Sequence, residues 1–122
     1  HGQEAPEFCT QFGLMSIKAM RIRDAASVAA LEAYPTDAYL LDAYSAAGLG
    51  GTGETFNWDH ALEAKKFGRP IILAGGLTAQ NVAEAIRTVR PFAVDVSSGV
   101  ESAPGKKDGQ KIQAFIAAAR QA

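Results

Sequence analysis

Four short apolar runs, each trailed by a helical pattern, limit what this chain can fold into. They are residues 16–20 (Ser-Ile-Lys-Ala-Met), 38–41 (Ala-Tyr-Leu-Leu, ending at Asp42), 70–74 (Pro-Ile-Ile-Leu-Ala) and 91–96 (Pro-Phe-Ala-Val-Asp-Val). None alternates polar with apolar, so none reads as a strand with one face in water. Such runs suit a parallel sheet covered by helices. Helical patterns follow at residues 24–32, 58–66 and 79–87 and from Asp108 onward. Asn57, Thr78 and Asp108 stand where N-caps belong, and Gly68 where a helix should stop. Val82, Ala85, Ile86 and Val89 line the apolar face of the third helix, and Ile112, Phe115, Ile116 and Ala119 that of the last. Four βα units with no hairpin signal between them define an α/β fold. A short helix near residues 6–12 precedes the first run and reads as the tail of a fifth unit.

Two architectures satisfy this pattern. One is an open doubly wound sheet. The other is a closed (β/α)8 barrel, which takes about 250 residues in the typical case, so that 122 residues would supply its half. With no linker or low-complexity segment, residues 1–122 read as a single unit. The chain begins His1-Gly2 with no initiator methionine, which fits trimming, a tag remnant or numbering that starts inside a longer protein. A net charge of −1 and a pI near 6.1 offer no basic field for nucleic acid. No apolar run reaches the ~20 residues that span a bilayer, and no secretory signal pattern is present. The lone Cys9 excludes an internal disulfide and fits a reducing compartment, so a cytoplasmic location is expected.

In either architecture ligands bind at the carboxyl ends of the strands. The third run ends in Gly75-Gly76-Leu77-Thr78 and the fourth in Ser97-Ser98-Gly99-Val100-Glu101. Glycine lets backbone approach a ligand closely, and the helix that follows offers N–H groups to an anion. A glycine pair by itself can be a mere turn. Two in adjacent units, each beside small or hydroxyl residues, point to a phosphate held by consecutive βα loops. Residues 48–55 match the nucleotide P-loop in spacing, but Glu54 occupies the lysine position and excludes ATP or GTP there. A loop covering a substrate or giving N–H groups to one phosphate remains open to Gly50, Gly51 and Gly53.

Asp42 ends an apolar strand and is followed by a glycine-rich loop rather than a helix, which weakens a capping role. A partly desolvated carboxyl group at that position can donate a proton. Asp95 lies within its run, facing away from Val94 and Val96, and either contacts a ligand or makes a structural hydrogen bond. Lys18 also lies within a strand, with an internal salt bridge and a substrate contact both open to it. Cys9 has no histidine partner and reads as a small buried residue. His60 reads as a helix surface residue, and neither histidine has metal-ligand spacing.

Five motifs occur here in a fixed order. They are Leu40-Leu41-Asp42; Gly50-Gly51-Thr52-Gly53 with Thr55-Phe56-Asn57-Trp58; Ile72-Leu73-Ala74-Gly75-Gly76-Leu77; Val94-Asp95-Val96-Ser97-Ser98-Gly99-Val100-Glu101; and Pro104-Gly105-Lys106-Lys107-Asp108. Together they closely resemble the phosphoribosylanthranilate isomerase family over essentially the whole chain. The resemblance implies the C-terminal half of a (β/α)8 barrel, strands 5–8 preceded by helix 4. His1-Gly2 would end the fourth strand and Ile17-Lys18-Ala19 would form the fifth.

The implied reaction is an Amadori rearrangement of N-(5-phosphoribosyl)anthranilate to the carboxyphenylamino-deoxyribulose phosphate in tryptophan biosynthesis, without cofactor or metal. By resemblance Asp42 is the general acid at the ribose ring oxygen. Gly75, Gly76, Ser98 and Gly99 hold the phosphate, helped by Gly50, Gly51 and Gly53, and Asp95, Lys18 and His1 are expected to contact substrate. The family's base is a cysteine in a Lys-x-Cys-Gly strand end, a context that Cys9 lacks. These residues alone are therefore expected to be inactive, and to pair with the barrel's N-terminal half or with themselves. Another phosphosugar barrel enzyme and a non-catalytic phosphate-binding module are the alternatives.

Overall fold

Proline 6 starts a 3-10 turn, Pro6–Thr10, and the chain then enters β1 (Ile17–Arg21). The computed structural model describes residues 2–42 and 58–122. Asp24 accepts a hydrogen bond from the Ser27 amide at 2.8 Å and so caps α1 (Ala25–Ala30). β2 (Ala38–Asp42), α2 (Asp59–Ala64) and β3 (Ile71–Ala74) follow. Between α2 and β3, Gly68 takes the left-handed conformation that ends the helical turn. Then come α3 (Val82–Val89), β4 (Ala93–Val94), β5 (Glu101–Ala103), β6 (Lys106–Lys107) and α4 (Gly109–Arg120).

The first four strands form one parallel sheet in the order β1-β2-β3-β4. A doubly wound sheet reverses direction at a switch point and so receives helices on both faces. Here each connection moves one strand further the same way, and with the right-handed sense that such connections take, the described helices fall on one face. The helices accordingly pack in succession, α1 on α2, α2 on α3 and α3 on α4.

The two faces of the sheet differ as a result. Beneath the helices Tyr39, Leu41, Ile71 and Leu73 are buried, joined by Leu31, Val82 and Val89. Tyr39 shows how a polar group is accommodated there. Its hydroxyl donates to the carbonyls of Leu31 and Tyr34 at 3.0 Å each, so burial leaves no unsatisfied oxygen. The other face presents Ala19, Leu40, Ile72 and Ala93, all only half-buried, and Ile17, which is 56% exposed.

Three local expectations need correction. A small antiparallel hairpin, β5–β6, stands between β4 and α4 where no hairpin was expected. Its turn contains Pro104-Gly105, with Gly105 at φ 76°, and its strands are too short to show a period. The N-cap of α3 is Asn81 rather than Thr78, because Thr78 begins a preceding turn that closes back on Asn81. Ile116 is 43% exposed and lies outside the stripe that buries Phe115. The Asp108 cap on α4 stands as read, its carboxylate accepting from the Lys111 amide at 3.0 Å.

Candidate functional site

The carboxyl ends of β2, β3 and β4 open into one cleft of about 280 Å³. Asp42 lines it from the last position of β2, half-buried, beside Leu40 on the same face. Gly75 and Gly76 form the second wall, and Ser97, Ser98 and Gly99 the third. Four of the residues expected to hold phosphate thus come together with the expected acid. Asp95 joins them. It lies just past β4, which is only two residues long, and is exposed rather than enclosed in a strand. Its amide still donates to the Leu73 carbonyl at 2.8 Å, which keeps the loop in register with β3.

The glycines serve different ends. Gly75 and Gly76 have φ of 83° and 64°, a backbone region that side-chain-bearing residues avoid. Gly99 instead solves a problem of space. A Cβ built on it would lie 1.9 Å from the Leu77 carbonyl oxygen. The two glycine loops therefore touch through backbone alone, and a side chain at this point would push them apart.

Each wall is also tied by a side chain that sequence reasoning did not single out. Asn81 accepts from the Thr78 amide at 2.8 Å and donates to the Gly76 carbonyl at 3.0 Å, pinning the β3 loop. Lys107 reaches from the hairpin to the Ser97 carbonyl at 2.9 Å and the Ser97 hydroxyl at 3.3 Å. The same ammonium meets Glu101 at 2.7 Å. That contact, aided by the Gly105 amide and opposed by partial burial, holds the Glu101 carboxyl below its ordinary range. Asn81 could have been noticed as an Asx residue at a helix start. Lys107 belongs to the Pro104-Gly105-Lys106-Lys107-Asp108 motif, but nothing in the sequence tied it to Ser97, because that contact depends on the unforeseen hairpin.

Lys18 does not join the site. Its ammonium donates to the Gly2 carbonyl at 2.8 Å, meets Glu4 at 3.3 Å and lies 4.4 Å from the centre of the Tyr34 ring. The register explains this. Arg21 is the partner of Asp42 across β1 and β2, and Lys18, three residues earlier in a strand of period two, faces the opposite way. The expected substrate contact is replaced by a buried structural lysine, 2% exposed. Arg21, on the Asp42 face, instead lines an adjoining cleft with Ala19 and Leu40.

His1, Gly50, Gly51 and Gly53 lie outside the described residues. Cys9 is half-buried in the Pro6–Thr10 turn, away from the cleft lining. His60 is more enclosed than expected, its side chain 19% exposed and 3.7 Å from Glu63. Among the described residues no cluster of His, Cys, Asp and Glu could hold a metal, and no helix is long and apolar enough to cross a membrane.

Known proteins resemble this chain in sequence and in fold. An isomerase of N-(5'-phosphoribosyl)anthranilate from Geotalea uraniireducens is 58% identical over 120 residues, covering 98% of this chain and 59% of that protein. The chain thus spans less than two thirds of its relative's length. Crystalline phosphoribosyl anthranilate isomerase from Thermotoga maritima superposes with a TM-score of 0.87 at 40% identity, over all of this chain and 60% of the other. A second solved isomerase, 38% identical with a TM-score of 0.83, covers this chain fully over 58% of its own length. It was crystallised with reduced 1-(o-carboxyphenylamino)-1-deoxyribulose 5-phosphate. The family pattern for N-(5'-phosphoribosyl)anthranilate isomerase runs across residues 1–118. With that pattern over nearly the whole sequence, and a relative so similar along it, the chain belongs to the N-(5'-phosphoribosyl)anthranilate isomerase family.

Proposed function

We propose that this chain supplies the acid and the phosphate-binding wall of an isomerase that converts N-(5'-phosphoribosyl)anthranilate to 1-(o-carboxyphenylamino)-1-deoxyribulose 5-phosphate. The observation that carries this reading is the single cleft shared by Asp42 and the Gly75-Gly76 and Ser98-Gly99 loops. A phosphate seated against those backbones would hold the ribose end of the substrate with its ring oxygen toward Asp42. The Asp42 carboxyl group gives its proton to that oxygen as the ring C–O bond breaks, and the anilino nitrogen's electron pair forms the C=N bond. A base takes the proton from the second ribose carbon as the C=N electron pair returns to nitrogen, giving the enol-amine; protonation of the first carbon and loss of the enol O–H proton then give the ketone. Asp95 stands at the rim, within reach of ribose or anthranilate groups, and Gly50, Gly51 and Gly53 are assigned to the phosphate by resemblance alone.

The single sheet order, and an inner face that no helix covers among the described residues, support a further reading, that the four βα units are the strand 5–8 part of a (β/α)8 barrel completed by other βα units. In that reading the base, a cysteine at the end of a first strand, comes from those units, and Cys9 takes no part. Residues 1–122 by themselves should then turn over substrate more slowly than an intact family member by about 10²–10⁴-fold, the usual worth of one acid–base group.

The decisive experiment is a turnover assay of Asp42→Asn in the protein that carries this chain. The expected result is a fall in kcat of about 10²–10⁴-fold with binding of the reduced product analogue kept. A variant with near-normal kcat removes Asp42 from the acid role.

A further inference from the structure

The β5–β6 hairpin has no place in the βα repeat, and the function proposed above gives it nothing to do. It is small, its strands are exposed except at the half-buried Glu101, and none of their residues belongs to the buried core. What it does is deliver Lys107. From β6 the ammonium meets three acceptors, the carbonyl and hydroxyl of Ser97 and the carboxylate of Glu101. Ser97 lines the cleft at the first position of its third wall, directly before Ser98 and Gly99.

The anchor is itself anchored. The Glu101 carboxylate accepts from the Gly105 amide at 3.2 Å, at the hairpin turn, and the Glu101 carbonyl accepts from the Lys111 ammonium at 2.6 Å. The Asp108 amide donates to the Val100 carbonyl at 2.9 Å, and Asp108 caps α4. A chain of bonds thus runs from the first turn of a long helix, through the hairpin, to one loop of the cleft. The opposite wall needs less, because Asn81 ties it locally.

We infer that Lys107 is a positioning residue for the anion-binding loop, fixing the Ser97–Gly99 backbone in the shape that accepts a phosphate group. It acts through Ser97 and touches no reacting atom. The inference rests on the phosphate reading of the cleft. A loop held in one conformation binds without first losing the freedom to adopt others. Releasing it should therefore weaken anion binding while leaving the proton transfer at Asp42 intact.

The test is titration of the protein with inorganic phosphate, for wild type, Lys107→Met and Lys107→Arg, together with steady-state kinetics. A charge-assisted hydrogen bond of this kind suggests a loss of about tenfold in phosphate affinity for Lys107→Met. KM should rise by a similar factor, with kcat changed less than about threefold, and Lys107→Arg should recover most of the affinity. If wild type binds phosphate and Lys107→Met binds it equally well, the positioning role is overturned and the phosphate reading survives. If wild type itself fails to bind phosphate, both fall. Should Lys107→Met lose its fold by circular dichroism, Lys107→Gln replaces it. That variant keeps a polar side chain but removes the ammonium that holds Ser97, and unchanged phosphate affinity there also overturns the inference.

Discussion

Gly76 and Gly99 look interchangeable in the sequence, each the last glycine of a strand-end loop, yet they are glycine for opposite reasons. Gly76 has open space where a side chain would go but a φ of 64°. Gly99 has a Leu77 carbonyl oxygen where its Cβ would stand. Asparagine tolerates the left-handed region better than other side chains do, so Gly76→Asn should keep both fold and phosphate binding. At Gly99 any side chain forces the loops apart, and Gly99→Ala should lower stability by about 1–3 kcal/mol, as overpacking does, and weaken phosphate binding as well. Thermal melts and phosphate titrations of the two variants decide it, and equal behaviour would contradict the distinction. The glycine loops were legible because positive φ and close approach both demand that residue type. The fate of Lys18 was not. A lysine inside an apolar strand reads the same on either face, and only the pairing of Arg21 with Asp42 shows that it turns toward the helices.

Among the elements, the helices and central strands were readable because their signals are local. Asp24 and Asp108 cap the helices they precede, and the non-alternating runs became parallel strands. What stayed hidden is made of tertiary contacts. The hairpin is held by Lys107, Glu101 and the turn at Gly105, none of which has a periodic signature. This leads to a prediction about pH. Glu101 is held below its ordinary value of 4.5, mainly by the Lys107 hydrogen bond. The folded state therefore binds this proton less readily than the unfolded chain. The stability so contributed is complete above 4.5 and fades as pH falls toward the depressed folded value. Glu101→Gln lacks this dependence. Wild type should thus lose Tm more steeply than Glu101→Gln below that pH, by an amount that shrinks in high salt because the pair is near the surface. Parallel Tm–pH curves for the two would show that the pair contributes nothing to folding.

At the scale of the whole molecule, the sheet has, among the described residues, one face under helices and one without them. The uncovered face carries Ile17, Ala19, Leu40, Ile72 and Ala93, and the outer edges of β1 and β4 pair with no strand among the described residues. An apolar face with two open edges is a surface that seeks a partner. In the barrel reading that partner is the remaining βα units, and the apolar face becomes the packed interior. Composition and periodicity could not choose between barrel and open sheet, since both use the same strands; strand order distinguishes them, and strand order is not local. The consequence is measurable in a solution of residues 1–122. Sedimentation velocity over a rising concentration series should show association, since the inner face and edges then find other copies. Ile72 lies mid-strand on the uncovered face, away from Asp42 and the glycine loops. Ile72→Lys puts a charge where a second sheet would pack and should shift the distribution toward monomer, with secondary structure retained by circular dichroism. Monomeric wild type at every concentration would mean that the inner face is satisfied within the chain, and would remove the main support for completion by other βα units.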